Sequence, residues 1–203
     1  GACEMIYPLS PQGAFLTVQG EGVMMGVPMI FVRLAGCSVG CHECDTDYSV
    51  AERVPVEEIM RRVVSLAASP VQWCQISGGE PTIHDLTPLV EELRRYGFRI
   101  ALATAGVGRV HMGHGITVEP GGFDFVSVSP HRIDASWVQR RGDQLNVVPG
   151  LNGLRLADLE GVDVSGFAHK FVTPCWYSPA DRMEKVSECV EWVRARPEWR
   201  LGI

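Results

Sequence analysis

Three cysteines stand close together in GCSVGCHECDTDY, residues 36–48: Cys37, Cys41 and Cys44. A closed structural zinc site takes four ligands, and disulfides take cysteines in pairs. Three thiolates suit a cubane iron–sulfur cluster that leaves one iron open to a non-protein ligand. Zinc would need a fourth partner. His42 directly follows Cys41, which strains joint ligation, and Cys3 lies in an opening stretch, Gly1 to Glu4, compatible with a cloning remnant. Further along comes Ser77-Gly78-Gly79-Glu80-Pro81, where missing side chains let the backbone approach a ligand closely; alone, such a stretch is also a tight turn.

Three other positions carry chemistry of their own. Thr46 offers a hard oxygen between Asp45 and Asp47, and magnesium is commonly held by few protein ligands plus substrate and water. The same three residues would also make a plain turn or helix cap. Arg33 ends an apolar run just before the cysteines. A buried guanidinium needs an anion, and its fork suits a bidentate one; that anion is either a ligand or an internal Asp or Glu. Glu21, in Gln-Gly-Glu-Gly, either accepts N–H groups from a guanidine-like heterocycle or is a solvated turn carboxylate.

The elements that must position these residues alternate along the chain. Strands are expected at 29–34, 72–76, 99–104, 123–128, 145–148, 170–172 and 199–203. Helices are expected from Pro55, with Val56, Ile59, Met60, Val63 and Val64 at helical spacing, from Asp85 as a cap, and over 178–192. Strands with helical crossovers make a mostly parallel sheet. Crossovers too short for a full helix, notably 107–122, point to an abbreviated partial (β/α) barrel in one domain spanning residues 1–203. Ligands collect at the carboxyl ends of such strands, where the cysteine loop, SGGEP, TAG, SPH and TP all fall. Cys74, Cys175 and Cys189 fit apolar patterns and read as small core residues.

The chain has 203 residues, net charge −6 and two lysines, Lys170 and Lys185. That balance speaks against nucleic-acid binding, which wants a basic face. No apolar run approaches the roughly 20 residues of a membrane span, and no signal peptide opens the sequence. Seven cysteines without a paired framework suit reduced thiols and a cytoplasmic location.

Cys-x3-Cys-x2-Cys followed by the glycine turn resembles the radical S-adenosylmethionine (SAM) superfamily, whose open iron binds SAM and, once reduced, yields a 5′-deoxyadenosyl radical. Within it, FLTVQGEGVMMGVPMIFVRLAGCSVGCHECDTDY, ISGGEPTIHDL and VSVSPH are similar to the 7-carboxy-7-deazaguanine synthase family of queuosine-precursor biosynthesis. The resemblance covers roughly half the chain. It implies ring contraction of 6-carboxy-5,6,7,8-tetrahydropterin with loss of ammonia, a [4Fe-4S] cluster, SAM and Mg2+, an external electron donor of flavodoxin or ferredoxin type, and a homodimer. By motif, Cys37, Cys41 and Cys44 would hold the cluster and Thr46 the magnesium. Val18, Gln19, Gly20 and Glu21 would meet the pterin, with Arg33 and Ser77 at its carboxylate. Glu43, Cys44, Asp45, Gly79, Ser129, Pro130 and His131 would line the SAM site. Departures are Ala103, where the family commonly has a carboxylate, Asn146, where lysine is common, and the absence up to Ile203 of the family's histidine-containing tail. A glycyl-radical enzyme activase shares the cysteine spacing and the turn, but acts on a protein loop. A non-catalytic zinc or iron–sulfur module is the third reading.

Overall fold

The computed structural model describes residues 5–42, 44–67, 71–108, 122–175 and 179–202. In chain order these hold β1 (Ile6–Val18), β2 (Pro28–Leu34), β3 (Glu52–Pro55), α1 (Val56–Leu66), β4 (Trp73–Gly78), α2 (Thr87–Arg95), β5 (Arg99–Thr104), β6 (Phe125–Val128), β7 (Gly142–Val147), β8 (Phe167–Val172), α3 (Pro179–Ala195) and β9 (Trp199–Leu201). The strands form one sheet in the order β3-β1-β2-β4-β5-β6-β7-β8-β9. Pairing is parallel from β2 through β9, and β1 runs antiparallel to β2 and β3. This is the mostly parallel α/β architecture expected of a partial barrel. Among the described residues no helix is long and apolar enough to cross a membrane.

The two faces of the sheet differ, and strand periodicity is the reason. On one face Ile30, Val32, Leu34, Cys74, Ile76, Ile100, Leu102, Val126, Val128, Leu145 and Val147 pack with Ile59, Met60 and Val63 of α1 and Leu89, Val90 and Leu93 of α2. Each such buried aliphatic side chain contributes about 1.5–3 kcal/mol. The alternate residues point the other way. Register pairs Arg33 with Ser77, Ala103 with Ser127, and Ser127 with Gln144, so a polar row crosses the second face. Gln75, Gln144 and Asn146 are buried there.

Helix starts follow local chemistry. Asp85 Oδ1 accepts the Thr87 N–H at 3.0 Å and caps α2. Pro55 does not begin α1, as the sequence suggested; it closes β3 in an extended conformation, and the helix starts at Val56. Cys74 and Cys189 are fully buried, whereas Cys175 is half-buried. The sequence gives no sign of β1. Pro8 and Pro11 argue against a strand, and the register shifts between Leu9 and Ala14 break any clean alternation. Between β6 and β7 an irregular connection, and between β7 and β8 two short 3-10 helices (Leu151–Gly153 and Leu156–Leu159), stand in place of an α-helix; Trp137, 2% exposed, fills the first of these connections.

The carboxyl ends of β4 and β5 are joined through Glu80, which has no exposed surface. Its Oε1 accepts from Thr82 N (3.0 Å), Thr82 Oγ1 (2.6 Å) and Thr104 Oγ1 (2.6 Å), and its Oε2 accepts from Ala105 N (2.7 Å). Removing the carboxylate strands all of these donors in a dry site. Glu80→Ala is therefore expected to lower unfolding free energy by about 2–4 kcal/mol, since each unsatisfied buried donor costs about 1–3 kcal/mol, measured by anaerobic denaturant titration of the metal-free protein. Stability within 1 kcal/mol of wild type would show that the network is dispensable.

Candidate active site

The cysteine loop leaves β2 and is seated by the turn that leaves β4. Gly79 N–H donates to Leu34 O at 3.1 Å and Glu80 N–H to Gly36 O at 2.9 Å. A Cβ on Gly78 would fall 1.9 Å from Leu34 O, and one on Gly79 2.1 Å from Gly36 O and 2.9 Å from Cys37 Cβ. The sequence suggested that these glycines clear space for a ligand. The nearer reason is that the backbone of 34–37 already fills the side-chain positions. Gly78, at φ +134°, also adopts a conformation that other residues avoid.

The three cysteines are inequivalent. Cys41 is buried, Cys37 half-buried and Cys44 exposed. His131 Nδ1 lies 2.7 Å from Cys41 Sγ, and Asn152 Nδ2 donates to the same sulfur at 3.2 Å. Val39 N–H donates to Cys37 Sγ at 3.4 Å. Burial pushes the Cys41 thiol up, the Asn152 hydrogen bond pulls it down, and the Cys44 and Cys37 sulfurs push it up again. Soft sulfur donors suit iron–sulfur clusters. Among the described residues no group of three or more His, Cys, Asp and Glu side chains is arranged to hold a metal ion. His42 is exposed, and Cys3 and Glu43 lie outside the described residues.

Beside this loop, Arg33 and Ser77 are neighbours across β2 and β4. Arg33 Nη1 donates to Thr46 Oγ1 at 3.3 Å, and Thr46 Oγ1 donates to Asp45 Oδ1 at 3.1 Å. The Arg33 guanidinium also lies 5.5 Å from the Phe15 ring centre. Yet Arg33 Nε and Ser77 Oγ are buried without a hydrogen-bond partner. Two adjacent unsatisfied polar atoms, one cationic, in a buried row are costly unless an acceptor arrives from outside. No carboxylate of the chain fills that place among the described contacts, so the internal-pair reading of Arg33 loses ground to an external anion.

The Gln-Gly-Glu-Gly segment lies across the mouth of the curled sheet. Gln19 Nε2 donates to Gln75 Oε1 at 2.6 Å, and Glu21 N–H to Gln19 Oε1 at 3.1 Å. From the far side, Gln144 Oε1 accepts the Val23 N–H at 2.9 Å, and Asn146 Nδ2 donates to Glu21 Oε2 at 3.4 Å. Five strand spacings of about 4.8 Å would part β1 from β7 by roughly 24 Å in a flat sheet, so these contacts require curvature. Glu21 keeps an exposed surface, but its carboxylate reaches buried Asn146. Burial there, then the charge of Asp45, push its carboxyl above the usual range, and the Asn146 hydrogen bond opposes them. Gly22 has φ +61°, which favours glycine, and a Cβ there would displace the Gln144 amide.

The remaining residues singled out in the sequence fall at the rim with less convergence. Ser129 N–H is tied to Thr104 O at 2.8 Å, and Pro130 is buried between it and His131. Burial pushes the His131 imidazole below its usual range, against the opposing charges of Glu80 and Asp45. Val18 shares the parity of Leu16, which pairs with core residue Ile30, so its side chain lies on the face opposite Arg33 and only its backbone can serve the site. Gly20 has open space where a side chain would go. Sequence reasoning passed over Gln75, Gln144, Asn152 and Thr173, whose Oγ1 donates to Asn146 Oδ1 at 2.7 Å. The polar–apolar alternation of WCQISG and DQLNV is the signal that could have found the first two.

No family model matches the chain. A 7-carboxy-7-deazaguanine synthase of Burkholderia multivorans is 30% identical over 93% of this chain and 92% of its own length. The enzyme of that name from Escherichia coli K12 is 32% identical over 64% of this chain and 70% of its own. The crystal structure of QueE from Escherichia coli superposes with a TM-score of 0.73 at 27% identity, covering 98% of this chain and 93% of that one. With the cysteine loop, the glycine turn and the neighbouring Arg33 and Ser77 already in place, these likenesses show that the chain belongs to the 7-carboxy-7-deazaguanine synthase family of radical SAM enzymes.

Proposed function

We propose that this chain contracts the ring of 6-carboxy-5,6,7,8-tetrahydropterin to 7-carboxy-7-deazaguanine, releasing ammonia, in queuosine-precursor biosynthesis. The observation that carries the reading is the pair of buried, unsatisfied atoms Arg33 Nε and Ser77 Oγ, adjacent in register and matched to a substrate carboxylate. Cys37, Cys41 and Cys44 hold the cluster. A cluster held there would, with SAM, supply radical chemistry. The protein's own residues then bind and orient. Arg33 and Ser77 fix the carboxylate end, Gln19 and Glu21 meet the pterin edge, and the segment spanning β1 to β7 excludes water. Asp45 and His131 face the SAM side. Thr46 contributes its second lone pair to Mg2+, since a hydroxyl can accept twice. An external flavodoxin or ferredoxin delivers the electron to a cytoplasmic homodimer. The relatives reported above are synthases by name, which leaves the activase reading unsupported.

The direct test is anaerobic incubation of cluster-loaded protein with carboxytetrahydropterin, SAM, Mg2+ and reductant. Mass detection should find 7-carboxy-7-deazaguanine; its absence, with radical transfer to a partner protein instead, would favour the activase.

Arg33→Ala should reduce pterin turnover at least about 100-fold. Losing one partner of a desolvated charge pair costs about 3–5 kcal/mol, and each 1.4 kcal/mol is about tenfold. Slow uncoupled cleavage of SAM should persist, and Arg33→Lys should rescue poorly because an ammonium lacks the fork. Wild-type turnover by Arg33→Ala would make the arginine structural.

Thr46→Ala should weaken the dependence of turnover on magnesium concentration while SAM binding is retained, followed by equilibrium dialysis of labelled SAM. An unchanged magnesium titration would remove Thr46 from the metal.

A further inference from the structure

Beyond β7 the chain runs Val148-Pro149-Gly150-Leu151-Asn152-Gly153. Three of its last four residues have positive φ: Gly150 at +101°, Asn152 at +51° and Gly153 at +73°. Among the described residues Asn152 is the one non-glycine in that region. Asparagine tolerates this conformation better than most residues, but glycine adopts it more readily still. A turn alone therefore gives no reason for the side chain. The side chain does have a destination. Its Nδ2 reaches 3.2 Å to Cys41 Sγ, across 111 positions of sequence. Cys41 is the most buried of the three thiols, 9% exposed, so water competes little for its lone pairs.

We infer that Asn152 tunes the reduction potential of the cluster through its amide N–H on the Cys41 sulfur. The inference rests on the cluster reading above and deepens it. On reduction the cluster gains one electron from the external donor and its sulfurs gain negative charge. A fixed N–H dipole aimed at one sulfur stabilises the reduced form more than the oxidised form. Hydrogen bonds to ligand sulfurs are among the factors that set such potentials. The strained backbone is then the local cost of aiming a donor from the β7 turn at a ligand carried by the β2 loop. Cys44, the exposed ligand, has no side-chain donor in the described structure; its sulfur contacts only the Thr46 carbonyl at 3.5 Å. Asn152 thus acts on one ligand out of three and serves as a tuning residue, without contact to substrate.

Two variants separate donor from backbone. Asn152→Gly keeps the positive φ and deletes the amide. Asn152→Asp keeps side-chain shape and replaces the N–H with a carboxylate oxygen. Full-length wild type and variants, reconstituted anaerobically, are titrated with titanium(III) citrate and mediators, following the reduced-cluster EPR signal alongside iron content. Both variants should keep about four irons per chain, as the cubane requires. The reduction equilibrium constant should fall about threefold to tenfold in Asn152→Gly, where tenfold is about 59 mV for one electron, and further in Asn152→Asp. Midpoints equal to wild type in the iron-loaded variants overturn the inference. Loss of iron in both variants also overturns it, because Asn152 would then build the site rather than tune it. Wild-type protein that holds no four-iron cluster refutes the underlying cluster reading instead.

Discussion

A carboxylate with no solvent contact stands between the ends of β4 and β5, accepting hydrogen bonds from its own turn and from Thr104 and Ala105. An ion in that position is stable only when its oxygens are satisfied, so the geometry of two strand ends is fixed together. The same turn carries Gly78 and Gly79, whose vacant Cβ positions receive the backbone of 34–37. Glu80 thereby anchors the turn, the turn seats the cysteine loop, and the loop places Cys41 against Asn152 and His131. These contacts tie the rim together from three elements of the chain.

The other requirement is a sheet with two unlike faces. One face buries aliphatic side chains under α1 and α2 and supplies stability. The opposite face carries a polar row, Arg33, Gln75, Ser77, Ser127, Gln144 and Asn146. Parallel strands covered on both faces are normally apolar throughout; polar residues at every second position mark an interior meant for a ligand. Ala103 sits in this row opposite Ser127. Asn146, in the same row, joins Glu21 to Thr173.

Legibility in the sequence followed the range of the interaction. Helices α1 and α2 and strands β2, β4 and β5 carry their own periodicity and caps, so their positions were readable to within a few residues. The cysteine triplet, the glycine turn and Arg33 were readable because their residue types narrow the chemistry. β1 was not, since its two prolines and its bulge are tolerated only through antiparallel pairing with β2 and β3. Asn152 and Gln144 were not either. Each acts on a residue more than 100 positions away, and nothing in its own neighbourhood announces the partner. Glu80 looked like part of a ligand motif, and only the folded chain shows it as the tie between two strands.

The central claim is that Arg33 Nε and Ser77 Oγ are unsatisfied because a substrate carboxylate belongs between them. An anaerobic crystal structure of the cluster-loaded protein with SAM and carboxytetrahydropterin tests it most directly. The account predicts a carboxylate oxygen within about 3.2 Å of each atom, the normal hydrogen-bond range. A bound pterin with its carboxylate directed elsewhere, and Arg33 Nε still without a partner, would contradict it.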